Sequence, residues 1–371
     1  MIFVNLYTFY FPLSKLFPAL IRYFLPKSFL LKTVASKIEA MYENFDAILV
    51  DSGRSALYNF LIYAKNMNQV KSACEVLIPN YICNVVDKAV VKSNLIPVRY
   101  ETDEFFRPVI KDVIAKVSDK TLAVIFAPIF GSYDNVFIRT TNLVKKRKEE
   151  VLIIFDNAQC IDLKPPSKTD AVILSFNNKD IWGVMGGALL LKRKKFNLRV
   201  DPEKLSFYQE LLYLFEFFKR ICKIMRKESL SLISKLNTWH FEHSTCSRFP
   251  YTLNKNAISK ISLIFALHGL NELEKYKERR KENYEAFKKW CRTFKNVKII
   301  ETKNVSTSPF IPLIVIGNVQ ETLSTFSNFR VQVKMPYAVD ENPNLSLKKN
   351  IIAIPNNPNF DYSEIFLSSK P

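Results

Sequence analysis

The segment VLIIFDNAQCIDLKPPSKTDAVILSFNNKDIWGVMGGALLLK, residues 151–192, contains three apolar runs separated by short polar connections. The runs at 151–155, 171–176 and 188–192 consist almost entirely of Val, Ile, Leu, Ala and Phe and show no alternation with polar residues. Such continuous runs are typical of strands that are covered on both faces of a sheet. The segment therefore predicts the centre of a mostly parallel, buried sheet.

Four further runs of the same kind precede this segment, at 47–50, 76–79, 95–98 and 122–127. Amphipathic stretches lie between the runs, for example at 55–67 and 142–150, and their apolar spacing is helical. Strands that alternate with helices indicate a sheet with helices on both faces. The fold class predicted from the sequence is α/β.

Differences in composition and pattern along the sequence divide the chain into four predicted parts. Residues 203–236 are aromatic and then basic, and a second long helix is predicted from Ala257 to about Trp290. Apolar runs such as FIPLIVIG, VQVKMPYA and IIAIP near the end of the chain indicate a small α+β unit. The predicted parts are an apolar basic arm (1–34), a large α/β domain (35–200), a helical connection (201–290) and a small C-terminal α+β domain (291–371).

Composition excludes several classes of protein. Of 371 residues, 48% are hydrophobic and 24% charged, which rules out a disordered chain. The six cysteines form no CxxC pair and there are three histidines, so neither a disulfide framework nor a zinc site is indicated, and no metal is expected. A reducing cytoplasm fits best.

The formal net charge of +19 raises the question of an anionic partner. No nucleic-acid-binding motif accompanies the charge, so nucleic acid is not expected. Residues 1–37 and 207–227 combine aromatic side chains with Lys and Arg, while prolines and charges interrupt any membrane-spanning run. Two interpretations remain open: these segments touch the inner face of an anionic membrane, or they pack on the protein itself or across a dimer interface.

Three polar segments follow strands and carry the candidate chemistry. Residues 52–56, SGRSA, open a helix and could bind an anion, although an ordinary N-cap is the favoured interpretation for this segment in isolation. Asp156 ends a buried parallel strand, where α/β sheets bind ligands. Lys179 follows another strand and precedes Gly183, Gly186 and Gly187, a pattern that could place a nucleophilic lysine against a ligand.

Together these segments resemble the DegT/StrS group of sugar aminotransferases, which belong to the fold-type-I superfamily of pyridoxal-phosphate (PLP) enzymes. The resemblance extends from about residue 35 to 290 and, more weakly, to the end of the chain. It implies a large PLP-binding α/β/α domain, a smaller C-terminal domain and a homodimer. The matching segments are SGRSAL (52–57), VLIPNYICNVV (76–86), AVIFAPIFGSYDN (123–135), IIFDNAQCID (153–162), SFNNKDIWGVMGGALLL (175–191) and ERRKENYEAF (278–287).

The resemblance implies specific roles for individual residues. Lys179 would be the Schiff-base lysine that also moves the proton, and Asp156 would pair with the pyridinium nitrogen of the coenzyme. Gln159 would contact the hydroxyl of the ring, and Tyr81 or Cys83 would lie near its face. The phosphate would be held by Gly53, Arg54, Ser55 and Ser175.

The implied activity is transfer of an amino group, from glutamate, to a keto-sugar carried on a nucleotide, for surface polysaccharide or lipopolysaccharide. Lys179 argues against the dehydratase branch of the family, which lacks this lysine. Three departures stand out: Pro128 replaces a common histidine, the step from Ser175 to Lys179 is one residue short, and an apolar arm replaces the usual N-terminal substrate segment. They motivate an alternative, a catalytically silent relative that acts as a membrane-associated interaction protein.

Overall fold

A seven-stranded mixed sheet forms the centre of the computed structural model. The model describes residues 21–67, 74–176, 180–181, 186–193, 195–196, 205–215, 258–328, 350–356 and 362–363. The strand order is β1-β7-β6-β5-β4-β2-β3. The strands are β1 (Phe45–Val50), β2 (Glu75–Pro79), β3 (Ile96–Tyr100), β4 (Thr121–Phe126), β5 (Leu152–Asp156), β6 (Ala171–Ser175) and β7 (Gly187–Lys192).

All seven apolar runs of the sequence form these strands, and the prediction of a mostly parallel sheet is confirmed. The strands from β6 through β5, β4 and β2 to β3 pair in parallel. Only β7 runs the other way, between β6 and β1. The α/β fold class is therefore confirmed.

Helices cover both faces of this sheet, as the alternating pattern predicted. Side chains of successive strand residues point to opposite faces, so Ile153 and Phe155 pack in one core and Leu152 and Ile154 in the other. The described helices are α1 (Lys27–Met41), α2 (Gly53–Met67), α3 (Asn84–Lys92), α4 (Ile110–Lys116), α5 (Asn135–Arg147), α6 (Lys260–Asn271), α7 (Leu273–Cys291) and α8 (Val319–Asn328).

The described part of the N-terminal region packs on the protein's own body. Leu30, Val34 and Ile38 of α1 are completely buried and share a core with α6. Spaced at four residues, they form a single apolar stripe along the helix. Residues 1–20 of the predicted arm lie outside the described residues. No helix in the described ranges has both the length and the apolar character needed to span a bilayer.

A second, three-stranded antiparallel sheet lies in the C-terminal part of the chain. Its strands are β8 (Val297–Ile299), β9 (Phe310–Val315) and β10 (Ile351–Pro355), in the order β10-β9-β8. One face of this sheet packs with Phe287 and Trp290 of α7 in a third core, whereas Ile351 and Ala353 of β10 belong to a core of the large sheet. The segment VQVKMPYA, predicted here from the sequence, lies outside the described residues.

The prediction of one long helix from Ala257 to about Trp290 is wrong, because the chain breaks at Glu272 between α6 and α7. The two helices have different surroundings: α6 is buried nearly all round, whereas α7 is charged and exposes much of its surface. Gly269 also lies near the end of α6, where it packs against Ile181. The break lets α7 leave the large sheet and reach the second one.

Candidate active site

The strand directions bring the three candidate segments to one edge of the large sheet. Because β7 is antiparallel to both β1 and β6, the strands β1 and β6 run the same way. The residues after β1, β5 and β6 and the residues before β7 therefore meet at the carboxyl edge. An isolated bridge between Ser52 and Gly186 joins the first and last of these segments.

Two glycines pack against each other where α2 begins. A Cβ atom on Gly187 would lie 2.6 Å from the nitrogen of Gly53 and 2.6 Å from the carbonyl oxygen of Leu174. A Cβ atom on Gly53 would lie 3.2 Å from the Cβ of Ser175. The N-terminus of a 15-residue helix thus stands directly beside Ser175, and the positive end of a helix dipole attracts anions.

Serine hydroxyls cap this helix. The backbone nitrogen of Ser55 donates to Ser52 Oγ at 3.2 Å, and Ser52 Oγ lies 3.0 Å from Ser55 Oγ. Ser52 Oγ also donates to Asp51 at 3.1 Å. Burial raises the pKa of Asp51 to about 6, although the hydrogen bonds from Ser55 and Ser52 and the charge of Arg54 favour its ionised form. The N-cap interpretation is therefore correct, and it is compatible with an anion site at the same turn.

Asp156 is the last residue of β5, in the middle of the sheet. It pairs with Ile173 of β6, so it lies two residues short of Ser175 along the neighbouring strand. Its carboxylate is half-buried and accepts a hydrogen bond from the backbone nitrogen of Ala158 at 3.1 Å. The next residue, Asn157, donates to the hydroxyl of Tyr42 at 2.9 Å, which ties this loop to the end of α1.

Gln159 holds a strained turn in place. Its Oε1 accepts a hydrogen bond of 3.0 Å from the nitrogen of Phe130, and both side chains are buried. Phe130 and Gly131 both have positive φ angles, 56° and 73°. The carbonyl oxygen of Phe130 accepts a bond of 2.6 Å from Thr302 Oγ1, in the loop after β8. Gln159 therefore joins the end of β5 to a turn that also contacts the C-terminal unit.

Tyr81 and Cys83 occupy different environments in the segment after β2. Tyr81 is almost completely buried and stacks on Phe106, with 5.3 Å between ring centroids. Phe106 in turn lies 5.0 Å from the ring of Phe130. Cys83 is partly exposed and stands at the N-cap position of α3. The aromatic stack connects Tyr81 to the turn that Gln159 holds.

Lys179 lies outside the described residues, and the nearest described residues are Phe176 before it and Asp180 after it. The backbone nitrogen of Phe176 donates to the carbonyl oxygen of Gly186 at 2.9 Å. Asp180 is buried, and its Oδ1 lies 2.6 Å from a guanidinium nitrogen of Arg280. Burial raises the pKa of Asp180 to about 6, while the charge of Arg280 and the N–H of Ile161 favour the carboxylate.

Neither member of this ion pair was predicted from the sequence. Asp180 directly follows Lys179, and Arg280 lies within the ERRKENYEAF segment, where no role was assigned to it. The pair joins residues 100 positions apart, which no periodicity can reveal. The signal that could have pointed to them is that both are charged residues inside segments that resemble a known family. Pro128, the other noted departure, accepts a weak hydrogen bond through its carbonyl oxygen from Cys160 Sγ at 3.8 Å.

Comparison with known proteins finds similarity in structure only. No protein-family model and no curated protein matches the sequence. Among solved structures, Spr1654 from Streptococcus pneumoniae, described as a sugar aminotransferase and solved in its PLP form, is 14% identical, with a TM-score of 0.71 over 98% of this chain and 96% of that chain. DesI, solved in the presence of its TDP-sugar product, is 14% identical, with a TM-score of 0.68 over 99% and 91%.

A third similar structure is the GDP-4-keto-6-deoxymannose-3-dehydratase ColD with bound GDP-perosamine. It is 15% identical, with a TM-score of 0.62 over 91% of this chain and 90% of that chain. The chain therefore has the fold of fold-type-I PLP enzymes, across almost its whole length. The fold-level expectation from the DegT/StrS resemblance is confirmed.

Proposed function

We propose that the protein is a PLP-dependent aminotransferase that transfers an amino group, from glutamate, to a keto-sugar linked to a nucleotide. The product would serve surface polysaccharide or lipopolysaccharide synthesis. The observation that carries the proposal is the meeting of Ser175, Gly53 and Gly187 at the N-terminus of α2, beside Asp156. This site lies where a sheet of this fold binds its ligand.

The residues present fit PLP. The tight contact of Gly53 and Gly187 brings the N-terminus of α2 beside Ser175, where the positive end of the helix dipole would favour a phosphate. Ser175 and Ser55 add hydroxyl donors, and Arg54 adds positive charge. Asp156, one strand away, supplies a carboxylate for a cationic ring nitrogen.

Each residue of the site would have a distinct task. PLP, when bound, supplies an electron sink for the carbanion that forms at the carbon bearing the amino group. Asp156 would keep the ring nitrogen protonated, and Gln159 would orient the ring hydroxyl while holding the Phe130 turn. Lys179 would attach the coenzyme and carry the proton between substrate and coenzyme carbons. Tyr81, through its stack on Phe106, and Cys83 would border the ring.

The similar structures support the choice of substrate class. One was solved with a TDP-sugar product and another with a bound GDP-sugar, so nucleotide-linked sugars recur among proteins of this fold. One of the two is a dehydratase. Lys179 favours amino transfer over dehydration for this chain, because the resemblance places the Schiff-base lysine at this position.

The decisive test has two parts: borohydride reduction of the purified protein with PLP followed by peptide mapping, and, on a separate unreduced sample, an assay of amino transfer from glutamate. We expect a coenzyme adduct on Lys179, its absence in Lys179→Ala, and release of 2-oxoglutarate. The catalytically silent alternative predicts no turnover, and none of the comparisons supports it. A protein that takes up no PLP would contradict the proposal.

We also propose a homodimer with sites at the subunit interface, as the family resemblance implies. The segment 248–256, outside the described residues, is where a residue given to the partner's site is expected. An alanine scan of residues 248–256 should give an inactive variant that regains activity when it is mixed and refolded with inactive Lys179→Ala, because one site per mixed dimer would be intact. Light scattering that shows a monomer would contradict this.

Finally, we propose that the protein works in the cytoplasm and touches the inner face of an anionic membrane. In the helical residues 207–215, Phe207, Leu211 and Phe215 are 85%, 50% and 64% exposed and lie four residues apart, which places them on one face. The other side is anchored, since Glu210 binds Lys27 at 2.5 Å. An exposed apolar stripe on a strongly basic chain suits an anionic lipid surface.

Vesicle sedimentation tests the membrane contact. The protein should sediment with anionic vesicles at low salt and less with neutral ones, and the triple variant Phe207→Ser, Leu211→Ser, Phe215→Ser should lose this binding. Val91→Ser with Ile138→Ser removes exposed apolar residues elsewhere and should not. If the triple variant instead changes only the oligomeric state, the stripe is a contact between subunits and the membrane proposal fails.

A further inference from the structure

A buried ion pair joins Asp180, the residue directly after Lys179, to Arg280 of α7. Arg280 is completely buried and Asp180 nearly so, with 2.6 Å between their charged atoms. The second carboxylate oxygen of Asp180 accepts a hydrogen bond of 2.6 Å from the nitrogen of Ile161. Ile161 lies two residues after Gln159, so one carboxylate joins the Asp156–Gln159 loop to the neighbour of Lys179.

The guanidinium of Arg280 extends this connection to the C-terminal unit. Its Nε donates to the carbonyl oxygen of Asn356 at 3.3 Å, and a terminal nitrogen donates to the carbonyl oxygen of Thr307 at 3.4 Å. The side chain of Asn356 donates back to the carbonyl oxygen of Arg280 at 3.2 Å. The arginine therefore holds α7 and the residues after β8 and β10 around a single carboxylate.

Ile181 adds a second restraint to the same stretch of chain. It is completely buried, and a Cβ atom on Gly269 of α6 would lie 2.7 Å from its Cγ2. Asp180 and Ile181, the two residues that directly follow Lys179, are therefore both held by contacts with other parts of the chain. The polar pair and the glycine contact act on adjacent residues.

Stability alone is a weak reason for such a pair. Removing two charges from water costs several kcal/mol per ion, and apolar residues of similar size are often as stabilising. What the pair provides is a defined geometry. The planar guanidinium of Arg280 donates in fixed directions, and the carboxylate of Asp180 can accept hydrogen bonds from two directions. We infer that the Asp180–Arg280 pair is a positioning device that sets the place of Lys179 relative to Asp156 and Gln159. This inference rests on the proposed function.

A neighbouring ion pair provides a matched control. Lys277 Nζ lies 2.6 Å from Asp162, so it joins the same loop to the same helix. This pair is more exposed. Its ion-pair contact does not include the residues after Lys179, although the charge of Asp162 also acts on Asp180. If the Asp180–Arg280 pair acted only by joining this loop to α7, removal of either ion pair would change the enzyme's activity and absorbance equally.

The experiment compares holoenzymes of the wild type, Asp180→Asn/Arg280→Met, Arg280→Lys and Asp162→Asn/Lys277→Met. The readouts are thermal unfolding, the midpoint of the pH titration of the coenzyme's visible absorbance, and kcat with KM for glutamate. The first double variant should stay folded, because both charges are removed together. We expect its absorbance midpoint to shift by about half a pH unit or more and its kcat to fall about 10- to 100-fold with little change in KM.

The outcomes separate the alternatives. An unchanged midpoint and kcat in a folded Asp180→Asn/Arg280→Met variant, or equal changes in the Asp162→Asn/Lys277→Met control, would overturn the inference. If the Asp180→Asn/Arg280→Met variant does not fold, the Arg280→Lys variant decides, because it keeps the positive charge but loses the planar guanidinium. An absorbance midpoint equal to that of the wild type in Arg280→Lys would also overturn the inference. A wild type that takes up no PLP would instead contradict the proposed function, and the inference with it.

Discussion

Gly187 packs so closely on Gly53 that a single methyl group would collide with backbone atoms on two sides. The contacts, at 2.6 Å, are to the nitrogen of Gly53 and the carbonyl oxygen of Leu174. Neither atom belongs to a flexible side chain, so the collision must move β6 or the start of α2. The spacing of three chain segments at the proposed phosphate site therefore depends on the absence of one side chain.

Gly187→Ala should lower the free energy of unfolding by about 1–3 kcal/mol, the usual range for overpacking. It should also weaken PLP binding, because the displaced N–H groups belong to the proposed phosphate site. Denaturant unfolding and a PLP titration measure the two effects. Gly317→Ala is the control, since its Cβ would meet no atom within 4 Å and only its positive φ of 101° is strained. Equal PLP affinity in both variants would contradict the prediction.

The sequence predicted this edge of the sheet well, for a physical reason. Buried strands are continuous apolar runs, and polar residues after them fall at the carboxyl edge whenever the strands are parallel. Asp156 was found in this way, whereas Ser175 came from the family resemblance, and the structure places the two on adjacent strands. The resemblance added roles for these residues, which spacing alone does not supply.

Other features could not be predicted because they depend on distant residues. The reversed direction of β7 is set by its pairing with β1, about 140 residues earlier in the chain. The break at Glu272 follows from the different surroundings of α6 and α7, although the helical pattern continues through it. The aromatic stack of Tyr81 and Phe106 forms only after the loops have met.

Gln159→Leu should destabilise the turn at Phe130. The variant removes the Oε1 acceptor and leaves the buried N–H of Phe130 without its bond, which costs about 1–3 kcal/mol. Gln159→Glu keeps an acceptor at this position and should retain more of the stability. Chemical denaturation of both variants without PLP checks this, and equal stabilities for Leu and Glu would contradict the role of the hydrogen bond.

Asp156→Asn tests the proposed partner of the pyridinium nitrogen. Replacing a charged hydrogen-bond partner by a neutral one removes about 1.5–3 kcal/mol, or roughly 10- to 100-fold in rate. We expect kcat for the half-reaction with glutamate to fall by this factor in single-turnover measurements. Asp46→Asn is the control, because it removes an exposed pair with Arg193 and should leave the rate unchanged. A wild-type rate in Asp156→Asn would contradict the assigned role.

Asp51 should make the protein less stable as pH rises from about 4 to 6. Its folded pKa, about 6, lies above the ordinary value of 3.8. In this window the native state binds more protons than the unfolded state, so the free energy of unfolding falls with rising pH. A shift of about two units corresponds to at most about 3 kcal/mol. Asp180, with its pKa raised in the same direction, contributes to the same decline.

Asp51→Asn isolates this contribution. The amide cannot titrate, and its oxygen can still accept the hydrogen bond from Ser52. We therefore expect the variant to show a flatter dependence of unfolding free energy on pH between 4 and 6, so that its stability relative to the wild type improves as pH rises. Denaturant unfolding of both proteins across this range, in one buffer series at constant ionic strength, measures the difference. Parallel curves for the two proteins would contradict a raised pKa at Asp51.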